Sequence, residues 1–587
     1  MKQFFKFFFA SLLGSLVSFF VLSLLSFFIL IGIVSMIQSE NEVSIPSKTI
    51  LELSFNHPIP ERSHFGDFDF AALMSKDIGK VLGLNDILAN IKKAKDDKNI
   101  AAIYLKLDNF NEGSYATIEP IRNALIDFKD SGKPIIAHGN YISQKAYYLA
   151  SVADTVCLTP TGYLEFKGLN SMLSFFKKTL EKLEIDVQVI KVGKFKSAVE
   201  PFLLDRMSNA NREQITAFMN SVNNYVLGNI AEARKLDLEK VKTISGNMLV
   251  RSPQDALKYN LVDKLAYEVD VLEILKTLTG KEKIKTVNLK KYNKVKGNKK
   301  SSTKDRIAVI YAVGEITGNK GSDTEIGVDN IVKAIRKARN KKSVKAIVMR
   351  VNSPGGSALV SDLIWKEVEL AKKEKPFVVS FGKYAASGGY YISCGADKIF
   401  SEPTTLTGSI GVFALIPNMQ KFFNNKLGIY FDGVITGKYS DFVNSFRPLT
   451  ANEKSILQKQ VNTVYKTFAG NVASGRKMKF DDVDKIGQGR IWSGLQGKEI
   501  GLVDEIGGLN SAIEEAKNLA GIEEYRLIEY PEIKDPIEEI VENIGKDLSA
   551  KIFSSGMDDV FGIYSKALQM VKSKRVQARL PFEIEIN

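Results

Sequence analysis

Histidine is scarce in this chain: three in 587 residues, His57, His64 and His138. A Ser-His-Asp triad therefore has few places to find its imidazole, and no Cys/His cluster suggests a metal. Cysteine is scarcer, with only Cys157 and Cys394, far apart in apolar stretches and without a CxxC pair. They read as buried free thiols. Tryptophan occurs twice, the lysines are scattered, and no nucleic-acid-binding motif is present, so the net charge of +14 does not point to a nucleic-acid partner. Attraction to anionic lipid accounts for it better.

Charge is also missing, locally, from Phe7 to Ile37, a run of Phe, Leu, Ile and Val. As a helix it would be about 46 Å long, more than the roughly 30 Å hydrocarbon core requires. Lys2 and Lys6 precede it, and Glu40 and Glu42 follow. The bias predicts a cytoplasmic N-terminus and an extracytoplasmic body. The run is too long for a secretory signal and "SMIQSE" is a poor cleavage site, so residues 1–44 read as a stub and a retained transmembrane anchor.

The remainder contains a repeat. "GLNDILANIKKAKDDKNIAAIYLKLD" (83–108) matches "GVDNIVKAIRKARNKKSVKAIVMRVN" (327–352) at a constant offset of 244 residues, for example Gly83 with Gly327 and Ile103 with Ile347. Each copy reads as an amphipathic helix, a basic turn and a buried strand. "KAYYLASVADTVCL" (145–158) matches "GGYYISCGADKIFS" (388–401), "VGKFKS" (192–197) matches "TGKYSD" (436–441), and "YNLVDKL" (259–265) matches "IGLVDEI" (500–506). Strand–helix alternation predicts two α/β domains, 45–289 and 306–525. Between them, residues 290–305 read as an exposed basic linker. The tail, 526–587, carries an amphipathic stretch, "DPIEEIVENIGKDLSAKIF", that reads as a packing helix without chemistry.

The copies differ where chemistry would sit. In the second, a buried strand runs into "SPGGSA", where Gly355 and Gly356 free backbone amides for a developing oxyanion. The first copy has "NFNEGS" there. Ser409, in "TLTGSIGV", falls opposite Glu165 or Phe166. Conversely, Lys196 in "GKFKSAVEPF" falls opposite Ser440. The complementary losses suggest one composite site between the halves. A serine nucleophile needs a base. His138, at the end of a buried strand, is one candidate. Lys196, flanked by Phe195, Ala198 and Val199, is the other, because burial favours a neutral amine.

Together "RVNSPGGSALVSD", "YAASGGYYIS", "TLTGSIGVF" and "FKSAVEPF" resemble the long, two-copy form of the signal peptide peptidase A (protease IV) family. The resemblance runs in order from the anchor to about residue 525, and "QARLPFEIEI" is similar to that family's end. "FGKYAASGGY" departs from it at Lys383–Tyr384. The resemblance implies two tandem Clp protease/crotonase-like α/β domains, with the nucleophile on Ser409, the general base on Lys196, the oxyanion loop on Gly355–Gly356, and Ser387 as supporting structure. It implies a serine-type peptidase of a bacterial inner membrane, body in the periplasm, without metal or nucleotide cofactor. Its substrates would be apolar peptides, cleaved signal peptides above all, and its assembly a homotetramer. Two other classes fit parts of the pattern: an acyl-CoA enzyme sharing the fold, and a non-catalytic membrane scaffold.

Overall fold

Strands such as "IAAIYLK" and "VKAIVMRVNS" are apolar on both faces, as strands covered by helices on both sides of a parallel sheet must be. The computed structural model describes residues 2–38, 43–65, 80–111, 113–297, 302–532 and 577–579. The amphipathic stretch expected in the tail, 535–553, lies outside them.

The first sheet has six strands, in the order Lys264–Leu265, Thr155–Leu164, Ile135–Ile142, Ile100–Lys106, Thr49–Ser54, Thr286–Asn288, and all its pairs are parallel. The second has the same centre: Leu406–Gly408, Phe377–Ala386, Val344–Ser353, Arg306–Val313, Arg526–Tyr530. Ile491–Ser493 adds an antiparallel edge; Lys398–Ser401 branches from Phe377–Ala386 and carries Glu505–Ile506. The duplication extends to detail. The ladder slips between Thr49 and Ile50 in one copy and between Arg306 and Ile307 in the other. Arg234 pairs with Asp263, and Arg476 with Asp504, the aspartates of the two "LVD" motifs. Helices Leu84–Asp96 and Val328–Asn340 are both 13 residues long.

Two features depart from the expected boundaries. Arg526–Tyr530, beyond residue 525, is an edge strand of the second sheet. The stretch expected to be an exposed linker begins inside the first core: Tyr292 is fully buried and its hydroxyl donates to Asp97 at 3.0 Å. An apolar aromatic at this point outweighs its basic neighbours.

A third, mixed sheet joins the halves. Its order is Glu325–Ile326, Glu315–Ile316, Gly355–Ser357, Gln577–Arg579, Val412–Asn418, Asp186–Val192. The last strand comes from the first half and lies antiparallel to Val412–Asn418 over seven residue pairs. Apolar packing crosses as well: Tyr384, Ala386, Leu406 and Ile491 belong to the core built on the first sheet, and Ile190 to that of the second. The N-terminal helix, Lys2–Gln38, stands apart, and its Gln3–Leu25 portion is long and apolar enough to cross a membrane.

Candidate active site

The antiparallel pairing of Asp186–Val192 with Val412–Asn418 carries the first half's chain to the second half's serine. Past Val192 the chain turns and is pinned: Phe195 N donates to the Gln488 carbonyl at 2.8 Å. A Cβ on Gly489 (φ +80°) would lie 2.6 Å from the Lys196 Cα, so only glycine lets the two backbones meet. Gln214, buried on helix Asn209–Arg234, closes the seam. Its Nε2 donates to the Phe195 carbonyl (3.1 Å) and Ser197 Oγ (3.0 Å), and its Oε1 accepts from Ile491 N (3.1 Å).

Lys196, placed in this way, has no exposed surface. Its Nζ lies 2.8 Å from Ser387 Oγ, 3.0 Å from Ser409 Oγ and 3.2 Å from the Ser409 carbonyl oxygen. Burial pushes its pKa well below the ordinary lysine value. Ser409 follows strand Leu406–Gly408 and sits at φ +53°, an uncommon conformation for a residue with a side chain. Its own amide donates to the Arg490 carbonyl at 2.7 Å, which fixes the turn.

Gly355 and Gly356 form the first two residues of the short strand Gly355–Ser357, at φ +99° and +153°. Gly355 N donates to Ser353 Oγ at 3.2 Å. Gln577–Arg579 runs antiparallel beside this strand, Gly356 facing Ala578, and also meets Phe413. The tail therefore reaches the candidate site through residues of "QARLPFEIEI".

The structure brings Ser409 and Lys196 together across the halves. It does not bring His138 to them: that imidazole is buried in the first sheet, where Nε2 lies 3.3 Å from Thr159 Oγ1 and burial lowers its pKa. Cys157 and Cys394 are free and buried, in separate cores. Two further residues contribute to the site. Ser387, read as support only, contacts the lysine directly and sits at φ 56°, ψ −114° as the N-cap of Gly388–Tyr391. The local "AASGGY" was its signal. Gln214 had none, because a lone glutamine on an amphipathic helix reads as surface.

Residues 127–282 and 369–523 each match the peptidase family S49. The chain is 36% identical over 451 residues to Protease 4 of Haemophilus influenzae, covering 74% of this chain and 72% of that protein. It is 34% identical over 482 residues to Protease 4 of Salmonella typhi (80% and 77%) and 32% over 480 residues to the chloroplastic serine protease SPPA of Arabidopsis thaliana (80% and 70%). A ClpP1 mutant of Listeria monocytogenes aligns at TM-score 0.25 and 16% identity, over 35% of this chain and 94% of its own, a likeness too weak to bear on function. By class this is a serine-type peptidase on a duplicated α/β scaffold behind an apolar helix. Within that class the chain belongs to peptidase family S49.

Proposed function

We propose that this peptidase is membrane-anchored and cleaves apolar peptides, spent signal peptides among them, with Ser409 as nucleophile and Lys196 as general base. The observation that carries the reading is the 3.0 Å approach of a fully buried lysine amine to the Ser409 hydroxyl. A neutral amine has two N–H donors and one lone pair. The Ser409 carbonyl only accepts, and Ser387 Oγ can take the second N–H, which leaves the lone pair for the Ser409 hydroxyl.

In this mechanism the amine takes the proton as Oγ attacks the peptide carbonyl. Amides at Gly355–Gly356 stabilise the oxyanion, each donor contributing roughly 3 kcal/mol. The ammonium then gives its proton to the leaving amine, and water, activated by the same lysine, hydrolyses the acyl-enzyme. The substrate enters as a strand between Gly355–Ser357 and Val412–Asn418, where Gln577–Arg579 now lies. The apolar helix anchors the body on the extracytoplasmic face of a bacterial inner membrane, with Lys2 and Lys6 inside. Assembly is a homotetramer.

The test is hydrolysis of an apolar peptide ester by the detergent-solubilised chain. Ser409→Ala should abolish turnover and Lys196→Ala should lower it at least about 100-fold, while the thermal transition persists. Turnover retained by Ser409→Ala would end the reading. Loss on Ser409→Ala but not on Lys196→Ala would leave the serine and require another base.

A further inference from the structure

Glu61 lies in the loop that follows Thr49–Ser54, a strand of the first half, yet its carboxylate enters the second half. Oε2 accepts from Arg350 Nε at 2.8 Å and Oε1 from Asn352 Nδ2 at 2.9 Å. The ion pair is buried, the side chains being 1% and 7% exposed. Arg350 and Asn352 sit on Val344–Ser353, the strand that leads into Gly355. Arg350 Nη1 also donates to Ser380 Oγ (2.8 Å) and the Phe381 carbonyl (2.6 Å), and Asn352 Oδ1 accepts from Tyr384 N (3.2 Å). Those acceptors and donors lie on Phe377–Ala386, the strand that leads into Ser387.

The two strands slip at this point. Val351 pairs with Phe381, but Ser353 pairs with Ala385, so Gly382–Tyr384 bulge out opposite Asn352. A Cβ on Gly382 would lie 2.4 Å from Glu61 Oε1: the carboxylate occupies the space a side chain would take. Beyond the bulge one strand presents Gly355 and the other presents Ser387, the partner of the Lys196 amine. The bulge also contains Lys383–Tyr384. A second carboxyl, Glu402, feels the same arginine, but burial pushes it up to about 8, so it is protonated at neutral pH and Glu61 is the counter-ion. In the first half, Lys106, the repeat counterpart of Arg350, pairs instead with Glu268 at a half-exposed site.

Resting on the Ser409–Lys196 reading, we propose that Glu61 is a positioning residue of the active site: from the loop after the first half's opening strand it holds, through Arg350 and Asn352, the strand bulge that aims both Gly355 and Ser387. The first half then reaches the site twice, directly through Lys196 and indirectly through Glu61.

A buried ion pair held only for stability would behave differently. Removing one partner destabilises, whereas replacing both with apolar residues of similar volume commonly restores stability. The experiment therefore compares Glu61→Gln, the double variant Glu61→Leu/Arg350→Met, and Ser409→Ala, in the full-length chain, by thermal transition and by kcat and KM on the peptide ester. Expected for Glu61→Gln, assayed below its transition, is a fall in kcat of tenfold to roughly 100-fold with KM nearly unchanged, and a displaced acid limb of the pH profile as Ser387 moves against Lys196. The double variant should regain the parental transition but not kcat. Recovery of kcat along with the transition overturns the proposal, as does a parental kcat and pH profile in Glu61→Gln. If the double variant does not fold, Glu61→Gln decides alone. If Ser409→Ala is dead and Glu61→Gln is parental, only this proposal fails; if Ser409→Ala is active, the dyad reading fails and this proposal with it.

Discussion

The two halves share strand order, ladder slips and salt bridges, and they differ in what their equivalent loops meet. The loop after Asp186–Val192 is clamped by Gln488, Gly489 and Gln214 of its surroundings, and Lys196 is fully buried. Its counterpart in the second half, around Ser440, is exposed and irregular. Ser409 at φ +53° ends a buried strand, whereas the matching region of the first half, Glu165 and Phe166, carries a side-chain ion pair and a core aromatic. Duplication supplied two scaffolds, and burial of one seam between them supplied one environment in which a lysine can stay neutral. On the proposed dyad, the chemistry resides in the seam, not in either copy.

The comparison breaks most sharply at the dyad. Ser409→Ala should lower kcat/KM by about 10⁴-fold or more. Lys196→Ala should cost roughly 10²- to 10⁴-fold, as loss of a general base does. The pseudo-equivalent change Ser440→Ala should leave turnover at the parental level. A large loss from Ser440→Ala, measured on the same ester, would mean that the second half's exposed loop also works in catalysis.

Next in size is the seam itself. Gly489→Ala places a methyl group 2.6 Å from the Lys196 Cα in a conformation that disfavours side chains. It should displace the amine and lower kcat on the order of 100-fold, the cost of about 1 Å of misplacement. Gly501→Ala, also at positive φ but with open space around it, serves as the comparison and should affect stability alone.

Much of this was legible in the residues. The repeat at an offset of 244 predicted both α/β units, because the core-facing pattern of helix and strand is local. The complementary losses of Lys196 and Ser409 predicted a shared site. What was not legible is long-range. The contribution of Gln214 depends on a helix of one half lying over a turn of the other. The strand Gln577–Arg579 is three residues long, too short for any periodicity, and owes its place to open edges on both sides. Glu61, in an irregular segment, gives no local sign that it pairs with an arginine of the other half.

The lysine also has a stability signature that separates the halves. Its folded pKa is lowered, so between that value and the ordinary 10.5 the unfolded chain binds a proton that the folded chain does not. Stability therefore rises with pH across that window, and falls toward neutrality. Lys196→Met, apolar and of similar length, should be more thermostable than the parent near pH 7, with the gap closing as pH approaches 10.5. Activity of the parent should rise through the same lowered pKa. Thermal scans and ester hydrolysis across pH 6–10 read both; a gap independent of pH would mean that the lysine is charged in the folded state.

The smallest expected effect on activity tests how the comparison extends beyond one chain. Asp186–Val192 finds its partner, Val412–Asn418, within the molecule. Shifting each by the repeat offset gives residues 430–436 and 168–174, and neither forms a ladder among the described residues. Both are open to solvent, Val434 at 98% and Met172 at 85%. If copies assemble as proposed, the pairing made inside the chain is expected again between chains, 430–436 of one copy against 168–174 of the next. Such a contact is heterologous and closes into a ring if the rotation permits, as the proposed tetramer requires. It would carry no chemistry, because one partner lacks the serine and the other lacks the lysine. Val434→Asp should therefore split the assembly, read as mass by sedimentation, while kcat on a soluble ester stays within about twofold. An intact assembly in Val434→Asp and in Met172→Asp would mean that copies meet elsewhere. A collapse of kcat in the dissociated protein would mean that the seam within one chain needs a neighbour to hold its geometry, and that the two edges are less independent than their sequences suggest.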